Sequence, residues 1–442
     1  MHVYLDNAAT TKVLPEVIEA MIPYYTEFYG NPSSFHGFAR DAHKGLDDAR
    51  RTVAKCLNAA NPSEIYFTGG GSEGDNMILR GVAYAYRKKG NHIITSKIEH
   101  HAILHTLNEL EDKGLITVTY LDVDENGLVD PEAVRAAIRP ETILVSIMTA
   151  NNEVGTIEPV REIGAVCREA GVLFHTDAVQ AIGHIPMDVQ DMNIDLLTLT
   201  AHKFHGPKGV GAVYIKKGVR VPAMITGGGQ ENKKRAGTEN VPGIVGLAKA
   251  LEIQTENLEA NMKKMTALRD KLIAGVEERI PAVHLNGDRT RRLPNNVNFG
   301  IRYIESESIL LMLDLKGVAA SSGSACTSGS LDPSHVLLAM GISHEEANGS
   351  LRMTLSEFTT EEEIDYVLEV LPPIVQRLRD MSPIYPKGGD PIPYLRILKI
   401  LKPKAPRISM LRSQFLYLKE FVHDRKCLGA PLPMLRFQVG SA

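Results

Sequence analysis

The sequence predicts an α/β protein with a large domain on a mostly parallel sheet and a smaller α+β domain behind it. Two observations carry that prediction. Between residue 16 and about residue 250, short β-rich runs alternate with helical stretches, the pattern of crossover units around a buried sheet. Beyond it, residues 257–279 repeat apolar side chains at helical spacing (Leu258, Met262, Met265, Leu268, Leu272, Val276) and lead into a mixed region that runs to about residue 382.

Taken in order, the expected strands are 64–68, 92–95, 116–121, 142–147, 172–175, 196–200 and 211–215. The expected helices between them are 75–89, 102–113, 131–138 and 159–170. Most of the strands are near-continuous apolar runs, as expected where helices cover both faces of a sheet. A further strand is expected near 295–299. The expected domain layout is an N-terminal segment, 1–15, that joins the small domain, a large domain over 16–256, and a small domain over 257–382. Residues 383–442 differ in kind, with eight prolines and eleven Lys/Arg against three Asp/Glu. They read as a basic, Pro-rich extension.

Composition narrows the class. A chain of 442 residues with 43% hydrophobic and 23% charged residues is ordinary for a globular protein. Net charge is −4, which gives no reason to expect nucleic-acid binding. The four cysteines (Cys56, Cys167, Cys326, Cys427) lie far apart, which suggests neither a disulfide framework nor a Cys-based zinc site. No apolar run reaches the roughly 18–20 residues that span a bilayer. No secretory leader is recognisable, and a cytoplasmic protein is expected.

Thr68-Gly-Gly-Gly-Ser-Glu-Gly-Asp75 links an expected strand to an expected helix. Ser72 is expected to cap that helix, with Asp75 completing a capping box. A Gly-rich turn into a helix N-terminus exposes unpaired N–H groups that suit a phosphate. Gly69, Gly71 and Gly74 also satisfy the GxGxxG dinucleotide pattern, and the acidic Glu99 follows the next strand, so an NAD-dependent oxidoreductase is a local alternative.

Lys203 decides between these readings. It falls just beyond the strand 196–200, where open α/β sheets place ligands, and a lysine in such a site can form a Schiff base. Asp177 falls at the end of another strand, where a carboxylate can hold a proton on a pyridine nitrogen. A Schiff-base lysine, a pyridinium partner and a phosphate cradle together indicate pyridoxal phosphate.

The chain then resembles a known family. DNAATT (6–11), FTGGGSEGDN (67–76), EHHA (99–102), NNEVG (151–155), HTDAVQ (175–180), AHKFHGPKG (201–209), RAGTEN (235–240), SSGSACTSGS (321–330) and RMTLSEFTTEEEID (352–365) are similar, in order, to segments of cysteine desulfurases of the NifS/IscS type. These belong to the class V aminotransferases on the aspartate aminotransferase-like fold, fold type I of the pyridoxal-phosphate enzymes.

The resemblance implies a role for each matching residue. Lys203 would bind the cofactor covalently, Asp177 would pair with its ring nitrogen, and Gln180 would bond the ring hydroxyl. His100 would stack on the ring and move protons, while Gly71, Ser72, Thr200 and His202 would hold the phosphate. Asn152 would lie beside cofactor and substrate, and Arg352 would grip the carboxylate of L-cysteine. Thr238 would reach the phosphate of a second copy, which implies a homodimer. Cys326, in the Gly/Ser-rich loop 321–330, would accept the sulfur as a persulfide and pass it to a sulfur-accepting protein such as an iron–sulfur scaffold. A cysteine titrating near about 8.5 is a minority thiolate at neutral pH without help.

Two departures from the family pattern stand out. Ser356-Glu357 replaces a frequent Gly-Arg, which reverses a charge near Arg352 and is expected to bear on substrate affinity or partner contact. Gly71-Ser72 replaces Ala-Thr and keeps the hydroxyl. The rival readings are a selenocysteine lyase or another class V aminotransferase and, from a different class, a non-catalytic interaction protein using its basic tail.

Overall fold

The computed structural model describes residues 1–323 and 333–386, and Met1–Pro383 form one compact unit. Cys326, Cys427 and residues 387–442 lie outside the described residues. The strands are β1 (Val3–Tyr4), β2 (Ile65–Thr68), β3 (His92–Ser96), β4 (Thr117–Leu121), β5 (Thr142–Ser146), β6 (Leu173–Asp177), β7 (Leu196–Thr200), β8 (Gly211–Ile215), β9 (Val283–Leu285), β10 (Asn296–Ile301), β11 (Val318–Ala319) and β12 (Ser350–Thr354).

Seven strands form one sheet in the order β2-β8-β7-β6-β5-β3-β4. The five strands from β7 to β4 are parallel to their neighbours. β8 runs against both β7 and β2. Two reversals restore direction, so β2 points the same way as β7. The carboxyl ends of β2, β3, β5, β6 and β7 therefore open on one edge.

β3, β5, β7 and β8 are buried along their whole length. One apolar cluster, with Leu46, Phe67, Phe174, Leu197 and Ile244, packs one face under helices that include Gly37–Cys56 and Val241–Glu256. Another, with Ile78, Val82, Ile93, Leu107 and Val213, packs the other under Gly71–Tyr86 and His101–Asp112.

The antiparallel sheet β12-β10-β9 has a third cluster with Leu272, Val276, Phe299, Leu351 and Leu368, built with the helices Leu258–Arg279 and Glu361–Met381. The first residues of the chain join it. β1 pairs in parallel with β11, and Asp6 bridges to Thr354. No helix among the described residues is long and apolar enough to cross a membrane.

The expected capping box at Ser72 does not form. The helix starts at Gly71, and its N-cap is Gly70 at φ +156°, with no side-chain cap. That backbone region is open to glycine and nearly closed to other residues. Ser72 thus falls in the first turn, and Asp75 turns inward and is buried. Gly74 lies against the sheet, where an added Cβ would come within 2.8 Å of Thr198 Cγ2 and Val213 Cγ1. Both are β-branched and stiff. A Gly74→Val chain is expected to lose about 1–3 kcal/mol of stability through overpacking, measured as a lower denaturant midpoint.

Candidate active site

Turns leaving the carboxyl ends of β2, β3, β5, β6 and β7 line a cavity of about 790 Å³. Of the residues singled out from sequence, it brings together Gly71, Ser72, His100, Asn152, Asp177, Gln180, Thr200, His202, Lys203 and Arg352. Gly323, three residues before Cys326 in the chain, also lines it. Thr238 does not; it lines a separate hollow with Gly69, Arg235 and Glu231.

Lys203 follows β7 in a short 3-10 turn, Ala201–Lys203. Its Nζ donates to the carbonyls of Ala8 (2.5 Å) and Ala9 (2.8 Å), so the N-terminal segment meets the lysine directly. Gln180 Nε2 donates to the same Ala8 carbonyl at 3.0 Å. Asp177 is buried at the end of β6, and Val179 N–H donates to its Oδ1 at 2.9 Å. Burial pushes its carboxyl up to about 6, against the pull of that N–H and of the Lys203 charge.

His100 caps the helix His101–Asp112, with Nδ1 accepting from Ala102 N–H at 3.1 Å. Burial first, and then the Lys203 charge, lowers the imidazole to about 4. The ring is neutral at pH 7, and because Nδ1 accepts, its proton sits on Nε2. His202 is lowered to about 4 by burial and by Lys203 and Lys208.

Arg352, on β12, is a buried guanidinium whose Nη2 donates to Asp6 Oδ1 at 3.0 Å and Nη1 to the Asn152 carbonyl at 3.0 Å. Its buried Nε has no acceptor among the described residues. Glu357, expected to act near Arg352, turns away: its carboxylate meets His205 and Gln254. The counter-ion of the guanidinium in this structure is Asp6, not Glu357.

Three residues lining the cavity, Ala8, Ala9 and Asp75, and one behind it, Asp6, were not singled out from sequence as site residues. Ala8 and Ala9 act through backbone carbonyls, and Asp6 lies within the DNAATT motif that carries the signal. Asp75 looked like a helix cap, but it lines the cavity, with its Oδ1 3.9 Å from His175 Nε2. Burial and the neighbouring Asp177 raise its carboxyl well above the usual range.

These residues fit pyridoxal phosphate. An added Cβ at Gly71 would sit 2.9 Å from Val179 Cγ2, so glycine keeps that side of the cradle open beside Ser72 and Thr200. The helix beginning there runs for 16 residues, with its positive end at the cradle. The buried Asp177 would offer an acceptor to a protonated ring nitrogen, and Lys203 an amine.

The family model for aminotransferase class-V matches residues 3–367. The chain belongs to this family. A relative from Clostridium botulinum named cysteine desulfurase IscS is 59% identical over 385 residues, covering 87% of this chain and 96% of the relative. One of the same name from Methanosarcina thermophila is 56% identical over 385 residues, covering 87% and 95%. Among solved structures, a NifS-like protein superposes with a TM-score of 0.80 at 42% identity, covering 86% of this chain and all of that one. A structure titled SspA in complex with cysteine has a TM-score of 0.72 at 37% identity, covering 81% and 100%. Class V aminotransferases use pyridoxal phosphate, and the expected fold type I architecture holds for this member.

Glu99 follows β3 and is fully buried, accepting from Ser96 Oγ at 2.6 Å and from Met148 N–H at 3.1 Å. Burial pushes its carboxyl up to about 8. A raised folded-state value means that its contribution is present at low pH and lost as pH rises from the unfolded value, about 4.3, through 8. Wild type is therefore expected to lose more thermal stability than Glu99→Gln between about pH 6 and about pH 9, read as the difference in Tm across that range.

Proposed function

We propose that this protein is a pyridoxal-phosphate-dependent cysteine desulfurase that converts L-cysteine to L-alanine and passes the sulfur to Cys326 as a persulfide. One conjunction supports this above the rest. The amine of Lys203, the buried carboxylate of Asp177 and the buried guanidinium of Arg352 line one cavity, in a chain 59% identical to a relative named cysteine desulfurase.

Bound in this cavity, the cofactor supplies an electron sink that makes the Cα proton of an amino acid easier to remove. Lys203 binds it and, as an unprotonated amine, takes that proton. Asp177 holds a proton at the ring nitrogen, and Gln180 bonds the ring hydroxyl. Gly71, Ser72, Thr200 and His202 hold the phosphate. His100, neutral with its proton on Nε2, would lie beside the ring with that proton available to a reacting atom. Arg352 and Asn152 orient the substrate, the guanidinium taking the carboxylate, with Asp6 fixing its plane. The Cys326 thiolate then bonds to the substrate sulfur as the C–S bond breaks. The carbon keeps the electron pair and takes a proton to become the methyl of alanine.

We read the working unit as a homodimer. Tyr25, Tyr29, Phe35 and Phe38 are exposed apolar side chains close together in sequence, and Thr238 lies off its own chain's cavity, consistent with service to a second copy. The sulfur recipient in this reading is an iron–sulfur scaffold protein, and the setting is the cytoplasm.

Incubation with L-cysteine is expected to yield alanine and a persulfide on Cys326, measured by amino-acid analysis and mass spectrometry. Cys326→Ala should keep the visible absorbance of bound cofactor and release no sulfide; desulfuration at the wild-type rate would overturn the reading. Lys203→Ala should lose both the absorbance and at least about 10²-fold of the rate. Protonation of Asp177 near pH 6 removes the acceptor for the ring nitrogen, so cofactor uptake by the cofactor-free protein is expected to weaken as pH falls through about 6. An Asp177→Asn chain should bind weakly with that step absent, read by absorbance titration.

A further inference from the structure

Two residues beyond Lys203, His205 is buried at φ +66°. Its backbone N–H donates to Thr11 Oγ1 at 2.8 Å, and its carbonyl accepts from Leu14 N–H at 3.2 Å. Its ring Nδ1 lies 2.7 Å from the Lys12 carbonyl, and its Nε2 lies 3.0 Å from Glu357 Oε2. The other oxygen of that carboxylate accepts from Gln254 Nε2 at 2.6 Å. Asn261 Nδ2 donates to Gln254 Oε1 at 3.3 Å, which fixes which end of the amide faces Glu357.

Burial would raise the Glu357 carboxyl, but the hydrogen bonds from His205 and Gln254 hold it at about 2, so it is ionised at neutral pH. A backbone carbonyl and an ionised carboxylate can only accept. His205 therefore faces an accepting oxygen at each ring nitrogen. Around the pair, the Phe358 and His205 rings make a T-shaped contact at 5.4 Å, Lys264 donates to the Glu357 backbone carbonyl, and the buried His184 is lowered to about 4 by burial. An arginine at position 357 would face these donors with more donors.

The clasp joins three parts of the site. Residues 8–12 run from the carbonyls that hold Lys203 Nζ to the carbonyl that holds His205. Thr11 also bonds the His202 carbonyl through its N–H and its hydroxyl. Glu357 lies beyond β12, whose Thr354 accepts from Ala8 N–H at 2.9 Å. We propose that Glu357, with Gln254, is a positioning residue for Lys203: by clamping His205 it ties the lysine turn to the N-terminal segment and to the end of β12, and so sets where the lysine amine sits. This rests on the reading of Lys203 as the cofactor-binding residue.

The test uses full-length protein loaded with pyridoxal phosphate and compares wild type, Glu357→Gln, His205→Gln and the double variant. Glu357→Gln is expected to keep one cofactor per chain but to change the visible circular dichroism per bound cofactor, which reports how the ring is held. It should lower kcat by about tenfold with KM nearly unchanged, less than the roughly 10²-fold that a 1 Å misplacement can cost. The double variant should lose no more than either single one, as expected for residues acting as a unit. A merely structural clasp would lower Tm and leave the dichroism and kcat at wild-type values, and that result overturns the proposal. Should Glu357→Gln fail to fold, Gln254→Met is expected to alter dichroism and kcat in the same direction, and wild-type values there overturn it equally. A wild-type chain that takes up no cofactor overturns the reading of Lys203 itself, and the positioning role with it.

Discussion

Strands running side by side in the same direction deliver their following residues to the same edge of a sheet, and the rest of this site depends on that constraint. Asp177 ends β6 and Lys203 follows β7, so a carboxylate and an amine that are 26 residues apart in sequence line one cavity. His100 arrives after β3 and Asn152 after β5 by the same rule. β8 is the exception: it runs backwards, and the protein uses it to return the chain rather than to deliver side chains to the rim.

Burial of so many polar groups sets the electrostatic character of the cavity. Imidazoles at its wall, His100 and His202, are pushed down to about 4 and are neutral. The carboxyls of Asp75 and Asp177 are pushed up. The site thus discourages both kinds of charge until a ligand of opposite sign arrives, and that raises the value of each partner it meets there. Arg352 is handled differently, since its charge is fixed and Asp6 is kept beside it.

Much of this architecture was legible in the sequence. The strands announce themselves because a strand covered on both faces must be apolar throughout, and all seven of the expected large-sheet strands form, with ends shifted by a residue or two. Direction was not legible, because an apolar run reads the same whichever way its neighbour points; hence the antiparallel β8. Within the site, Lys203, Asp177 and His100 stand at strand ends and could be found by position. Ala8 and Ala9 contribute backbone carbonyls, which no side-chain pattern can reveal. The pairings Asp6–Arg352 and His205–Glu357 join residues 346 and 152 positions apart. Glu357 shows the limit well: its charge was conspicuous, but its partner was set by the fold.

The contact between Asp6 and Arg352 bears on how the molecule is made. Closing so long a loop costs little extra at equilibrium, since each doubling of length adds only about 0.6 kcal/mol. In time it matters more. The lysine turn leaves the ribosome about 150 residues before Arg352 does, an interval on the order of ten seconds at typical synthesis rates. Through that interval the nascent protein carries a half-built pocket with its amine in place and its guanidinium still unmade. The pocket is therefore complete only once Arg352 has been made and has met Asp6.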